Sequence, residues 1–374
     1  MAVDQQAFRD DTMTQQTYDE PYDELLDYPS RYTITTYGAD FPVDALVDRM
    51  NSGEILLPGF QRGYVWKHGR ASRFIESLLV GLPVPAIFLW KNDEGRFVVI
   101  DGKQRLETLR QFYDGSFDNG RSFPLKDVHP EYRGKTCEEL SPEQKRALDN
   151  ALLHAFIIQQ DQPSTDHRSI HHVFERLNTG AMPLEAQEIR SCLYEGDGDE
   201  DGFVALLATL NDHPSWRAIY GGKHARMRDE ELILRSLALC YERAHYQGDM
   251  KKFLNDFMHR HHAFDQGISM EDMRDKFVAT IDTIHGAVGE RAFKPRQRVN
   301  SAVFDAVMVG AAVRLARGEI HNPADISEAY DSLLNTDEFI ELTDRSTAHT
   351  AIVLRRIELG VQAFQDARQP TDCS

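Results

Sequence analysis

Cysteine is scarce in this chain of 374 residues: there are four, at positions 137, 192, 240 and 373, and no two form a C-x-x-C pair. That excludes a disulfide scaffold and a zinc ribbon, and it points to a reducing compartment. No run of 18 apolar residues occurs, which leaves no candidate membrane span. The opening MAVDQQAFRDD has neither a basic n-region nor an apolar h-region, so no secretory signal is read there. The expected location is the cytoplasm. Positive charge is in deficit, with Lys+Arg at 42 against Asp+Glu at 60 and a net charge of −18. Such a chain does not coat nucleic acid through a global positive field, although a local basic groove stays open. The sequence also lacks GxxxxGK[ST], a GxGxxG opening a helix, and GxSxG, which argues against a P-loop ATPase, a dinucleotide-binding enzyme and an α/β-hydrolase.

What is present is ordinary globular material, 41% apolar and 27% charged. The acidity is concentrated. Residues 1–30 carry Asp4, Asp10, Asp11, Asp19, Glu20, Asp23, Glu24 and Asp27 against Arg9 alone, and 195–202 reads EGDGDEDG. The rest is close to neutral. Residues 1–30 are read as an acidic mobile tail, with docking on a basic surface as the alternative.

Residues 31–163 alternate short strands and helices. The spacing predicts strands at 32–37, 54–57, 86–90, 97–100 and 155–159, and helices at 42–50, 70–80 and 103–113. The turn Asn92-Asp93-Glu94-Gly95 makes 86–100 a hairpin. From about residue 164 to 370 the pattern is helical, with helices expected at 165–177, 184–193, 202–210, 229–245, 249–259, 272–288, 299–317, 323–334 and 347–367. The fold class is therefore α+β: a small α/β domain followed by an all-helical domain.

Three segments carry chemistry. In Val98-Val99-Ile100-Asp101-Gly102-Lys103-Gln104-Arg105 an apolar strand hands over to a helix. Gly102 permits a positive φ at the turn, and the helix N-terminus is a ready phosphate site. Arg105 in the first turn can form a two-pronged phosphate contact, and Asp101 can hold Mg²⁺ or orient a water. The alternative is an Asp cap beside an ordinary surface Arg. In Pro58-Gly59-Phe60-Gln61-Arg62-Gly63-Tyr64-Val65-Trp66, Gln61 and Arg62 lie on a Gly- and aromatic-rich loop that can reach over a ligand. The alternative is Arg62 stacked on Tyr64 or Trp66. In Val173-Phe174-Glu175-Arg176-Leu177-Asn178-Thr179-Gly180 a helix closes on Gly180. Arg176, Asn178 and Thr179 either face the same ligand or, for the last two, simply cap the helix.

Other signals are weaker. The run from Asp197 to Gly202 starts like a calcium loop, but position 12 is Ala208 rather than a bidentate Glu. His171, His172, His259, His261 and His262 lack partner ligands at metal spacing. Lys223, His224, Arg226 and Arg228 beside Trp216 and Tyr220, and Lys294, Arg296 and Arg298, are small basic patches. They are read as solvated turns, with a phosphate grip as the alternative.

Taken in order, five pieces resemble one family. They are Gly53 with Leu57-Pro58-x-x-Gln61-Arg62-x-Tyr64-Val65-Trp66; Ser77-Leu78-Leu79-Val80-Gly81-Leu82-Pro83-Val84-Pro85; Asp101-Gly102-Lys103-Gln104-Arg105-Leu106-Glu107-Thr108-Leu109; Phe174 to Gly180; and Arg228-Asp229-x-Glu231-Leu232-x-Leu234-Arg235. The set resembles the GmrS-like domain family, the N-terminal module of GmrSD Type IV restriction proteins and SspE-type phage-defence proteins, over roughly 31–260. The resemblance implies a ParB/sulfiredoxin-like α/β domain with the DGQQR motif, here with Lys103 in place of the first Gln. It implies nucleotide binding and hydrolysis controlling DNA cleavage, with Asp101, Gln104 and Arg105 catalytic. Gln61, Arg62, Gly102, Lys103, Arg176, Asn178 and Thr179 would hold the nucleotide, and Asp101 the Mg²⁺.

GmrSD-type proteins normally carry an HNH nuclease module. After residue 300 only His321 and His349 occur, on helical patterns, so an intrinsic HNH nuclease is not expected. The reading is a Mg²⁺-dependent NTPase of anti-phage defence, acting with a protein partner such as a separate nuclease. DNA contact and homo-oligomerisation stay open, and no membrane partner is expected. Two alternatives stand beside it: a nucleotide-dependent switch without turnover, and a ParB-like nuclease. The last is disfavoured because phosphodiester hydrolysis wants clustered carboxylates.

Overall fold

The computed structural model describes residues 34–57, 64–92, 94–160, 168–177, 184–194, 202–264, 267–318, 322–344 and 349–365. The first of these form β1 (Ile34–Pro42), α1 (Val43–Asn51), β2 (Ile55–Leu56), α2 (His68–Leu79), β3 (Ile87–Lys91), β4 (Phe97–Asp101), α3 (Lys103–Tyr113), α4 (Pro142–Asp149) and β5 (Leu152–Gln160). The strands make one mixed sheet in the order β1-β5-β3-β4-β2. β3 and β4 are the antiparallel hairpin that the Asn92–Gly95 turn predicts, with a register shift between Phe88 and Leu89. β5 runs parallel to β3 and antiparallel to β1.

β1 extends to Pro42, beyond the expected end at Tyr37. All nine of its residues find partners on β5, and Ala39 and Phe41 pack against the core. The alternation on β5 is clean: Leu153, Ala155 and Ile157 turn inward while Leu152, His154 and Phe156 are exposed. α4 is not foreseen by periodicity. It is opened by a reciprocal cap between Ser141 and Gln144 with Pro142 in the first turn.

Both faces of the sheet are covered. On one, Val43 and Leu46 of α1, Ile75 and Leu78 of α2, Leu106, Leu109 and Phe112 of α3, and Leu148 of α4 pack on Leu89, Val99, Ala155 and Ile157. On the other, Trp90, Val98, Ile100 and Ile158 meet two further helices, α5 (Arg168–Leu177) and α6 (Ala186–Tyr194), through Ile170, Phe174, Ile189 and Cys192.

Beyond them the described residues are helical: α7 (Phe203–Asn211), α8 (Pro214–Tyr220), α9 (Arg228–Glu242), α10 (Met250–His261), α11 (Met270–Val288), α12 (Ser301–Leu315), α13 (Pro323–Leu334), α14 (Asp337–Asp344) and α15 (Thr350–Gln365). These helices share one core. α12 is its axis and is buried without a break from Ala302 to Ala312. It meets α15 at backbone distance: a methyl on Gly360 would lie 2.3 Å from the carbonyl oxygen of Ala306, and one on Gly310 would lie 2.6 Å from that of Gly360. α8 and α14 are additions to the expected set. α9 ends at Glu242 rather than 245, with a 3₁₀ turn over Arg243–His245.

Candidate functional site

The end of β4 is the place to build from. Asp101 is its last residue. Gly102 follows at φ 107° and precedes the first turn of α3. The glycine is obligatory on two counts. Its φ lies where L side chains rarely go, and a methyl there would stand 2.4 Å from Ile87 Cγ2. The backbone therefore presses on β3, where Gly102 and Lys103 are buried while Asp101, Gln104 and Arg105 stay partly exposed.

Asp101 and Arg105 are brought together: the Arg105 Nη2 donates to Asp101 Oδ2 at 2.8 Å and to the carbonyl of Ala86 at 3.0 Å. The carboxylate is 43% exposed and the guanidinium side chain 14%. Arg105 Nε is buried without a hydrogen-bond partner. Lys103 turns inward. Its Nζ stands 3.6 Å from Glu107 Oε1, with each side chain 9% exposed. Burial pushes the Glu107 carboxyl above its ordinary range, against the pull of Lys103. Glu107 Oε2 and, one turn on, Gln111 Oε1 have no hydrogen-bond partner. The floor of the turn is thus a buried polar seam.

Gln104 looks sideways. Its Oε1 accepts from the backbone N–H of Val65 at 2.9 Å and of Trp66 at 3.2 Å. Thr108 donates to the Gln104 carbonyl at 2.6 Å and pairs with the Tyr64 hydroxyl at 2.9 Å. Burial pushes the Tyr64 phenol up to about 12, so it keeps its proton. Trp66 packs edge-on against Phe74 at 5.6 Å, and Arg70 stacks over its ring at 4.6 Å. Gln61 and Arg62 lie outside the described residues, as do Asn178 and Thr179. Arg176 is exposed in the last turn of α5.

Sequence reasoning passed over Tyr64 and Thr108 as partners. The signal was there: Thr108 follows Gln104 by four residues, hence the same helix face. Glu107 stands in the same relation to Lys103.

Among the described residues no group of three or more His, Cys, Asp or Glu could hold a metal ion. Asp101 offers one half-exposed carboxylate. That suits Mg²⁺ carried in on phosphates with most of its waters, and does not suit an all-protein cage.

In the helical part, the basic residues at 223–228 are paired with nearby carboxylates. Arg226 pairs with Glu188 at 3.2 Å and Glu185 at 3.3 Å, Arg228 with Glu185 at 3.1 Å, and Lys223 with Asp212 at 2.6 Å. Arg226 is mostly enclosed between its carboxylates, whereas Lys223 and Arg228 lie on a solvated surface as expected. The fifth sequence motif is internal: Asp229 takes Arg217 at 3.1 Å, Glu231 takes Arg190 at 2.8 Å, and Arg235 takes Asp305 at 2.8 Å.

Residues 43–195 match the family model described as the N-terminal domain of GmrSD restriction endonuclease. That segment runs from α1 through α6. No curated protein matches the chain. Among the described residues no helix is long and apolar enough to cross a membrane.

Proposed function

We propose that the chain is a nucleotide-handling component of phage-defence restriction, in which Mg²⁺-NTP is bound and hydrolysed at the β4–α3 turn. The observation that carries this reading is the part-exposed Asp101–Arg105 pair at a helix N-terminus, within a segment matching the GmrSD N-terminal domain. The first-turn N–H groups and the positive end of the helix dipole favour a phosphate there. Asp101 and Arg105 hold one another. A Mg²⁺-phosphate unit offers each a replacement, phosphate oxygens for the guanidinium and the cation for the carboxylate, so ligand entry leaves neither charge stranded. Mg²⁺, when bound, supplies neutralisation of the developing phosphate charge.

The chain's own residues do the rest. Arg105 and Gly102 position phosphate oxygens, and Asp101 orients the attacking water. Lys103 adds positive potential from beneath while Glu107 keeps it in place. Acceleration comes from positioning and electrostatics. Gln61 and Arg62 are proposed as the upper wall, being only two or three residues from the anchored Tyr64, and Arg176, Asn178 and Thr179 as a side wall. The nucleotide state would be passed through the helical part to a separate nuclease or to DNA in the cytoplasm.

The experiment is thermal melting with Mg²⁺ and ATP, GTP, CTP or UTP, followed by phosphate release. A nucleotide at 100 times its dissociation constant stabilises the native form by about 2.7 kcal/mol. A shift with phosphate release supports the enzyme. A shift without release supports the non-hydrolysing switch. No shift with any of the four contradicts the site.

A further inference from the structure

We propose that Gln104 is a positioning residue, a clamp that holds the chain at residues 64–66 against the first turns of α3, and not a group that acts on the nucleotide. The inference rests on the nucleotide reading for its purpose, but the clamp stands on geometry alone. One side-chain oxygen accepts two successive backbone N–H groups, from Val65 and Trp66. Val65 is exposed, so its N–H has water as the competing partner. A turn further along, Thr108 uses its proton on the Gln104 carbonyl. Its oxygen is then the acceptor for Tyr64, whose hydroxyl donates. Helix α3 thereby grips three consecutive residues, 64, 65 and 66, by two side chains on one face.

The same helix turn presents Asp101 and Arg105 through Gly102. The segment carrying Gln61 and Arg62 is joined covalently to Tyr64. The Gln104 clamp therefore ties two motifs that are forty residues apart in sequence to one helix. This explains why a glutamine serves there. An acceptor oxygen is needed for two N–H groups, and a neutral side chain avoids adding negative charge beside the phosphate site.

The test uses the full-length chain and separates two readouts. Amide hydrogen exchange over residues 64–66 is followed in wild type, Gln104→Leu, Gln104→Glu and Tyr64→Phe. In parallel, Mg-ATP and Mg-GTP are titrated as probes. Gln104→Leu removes the acceptor. Exchange at Val65 and Trp66 should rise about tenfold or more, as losing two hydrogen bonds of ordinary net worth implies. Gln104→Glu keeps the acceptor and should hold exchange within about twofold of wild type. Tyr64→Phe, the milder change, should raise exchange less than Gln104→Leu does. Unchanged protection in Gln104→Leu overturns the clamp. If Gln104→Leu fails to fold, unchanged protection in Tyr64→Phe overturns it instead.

For the probes, Gln104→Leu should weaken affinity in step with the rise in exchange. Loss of affinity with Gln104→Leu while exchange at Val65 and Trp66 stays wild-type would show that the side chain itself contacts the ligand, which overturns the positioning role. If neither probe binds the wild type, the nucleotide reading fails there, and the exchange result still decides the clamp.

Discussion

At the core of the helical part, arginines and carboxylates meet fully enclosed; at the end of β4 the carboxylate of the pair is half exposed. Asp305 is fully buried and takes Arg235 at 2.8 Å and Arg356 at 2.7 Å. Arg190, also fully buried, is divided among Glu231, Gln187 and Asn255. At the β4–α3 turn the same residue types form one pair with a 43% exposed carboxylate. The comparison shows that an Arg-rich motif has no fixed meaning. Where it is buried it fixes helix register and orientation. Where its carboxylate is half exposed, as at the end of β4, it is the pair that we propose a ligand displaces.

The comparison can be broken at several points, beginning with the largest effect. Asp305→Ala leaves two guanidinium groups facing each other in the core. It should destabilise the chain by about 3–5 kcal/mol, measured by urea unfolding. A loss similar to that of a surface pair would show that this triad is not buried as described.

Glycine replacements probe the two close approaches. Gly360→Ala pushes a methyl into the carbonyl of Ala306 on α12, and Gly102→Ala pushes one into Ile87. Each should lower stability by about 1–3 kcal/mol. Gly360→Ala should leave the nucleotide site intact, and Gly102→Ala should disturb it; calorimetric melting with and without Mg-NTP separates them.

Glu230 gives a pH signature to the helical part. Burial, reinforced by neighbouring Asp229, pushes its carboxyl up to about 7. In the unfolded chain the proton leaves near the ordinary 4.5, so between about 4.5 and 7 the fold binds the proton more tightly. Unfolding releases it, and this group's contribution to stability falls as pH rises through that interval. Glu230→Gln should flatten that part of the profile and raise stability at pH 8 by on the order of 1 kcal/mol. An unaltered profile would place the titration elsewhere.

The smallest stability effect belongs to the site. Asp101→Asn breaks a part-exposed pair and should change unfolding free energy by less than about 1 kcal/mol. A large loss would make Asp101 a structural brace like Asp305 and erase the contrast.

Much of this was legible in the sequence because local chemistry decides it. The β3–β4 hairpin follows from apolar runs split by an Asn/Gly turn, and α3 falls where expected because Gly102 opens it and Leu106, Leu109 and Phe112 share a face. α4 and α14 escaped because they are short and carry one buried residue each, Leu148 and Phe339. Such helices are held by caps or by neighbours rather than by a periodic stripe. α8 escaped for a similar reason, being seven residues long. In the site, the Asp101–Arg105 pairing is an i, i+4 relation and could be read. The inward turn of Lys103 could not, since it depends on burial against Glu107. Neither could the use of Gln104 by a backbone about forty residues upstream. The motif from Arg228 to Arg235, which carries part of the family resemblance, is a set of braces that could not be read, because each partner comes from a different helix that no local pattern announces.

The most direct test is phosphate release from Mg-NTP by wild type, Asp101→Asn and Arg105→Ala, each first shown to melt close to wild type. The account predicts turnover in the wild type and loss of nearly all of it in both variants. Equal turnover in all three would contradict the placement of the chemistry at the β4–α3 turn.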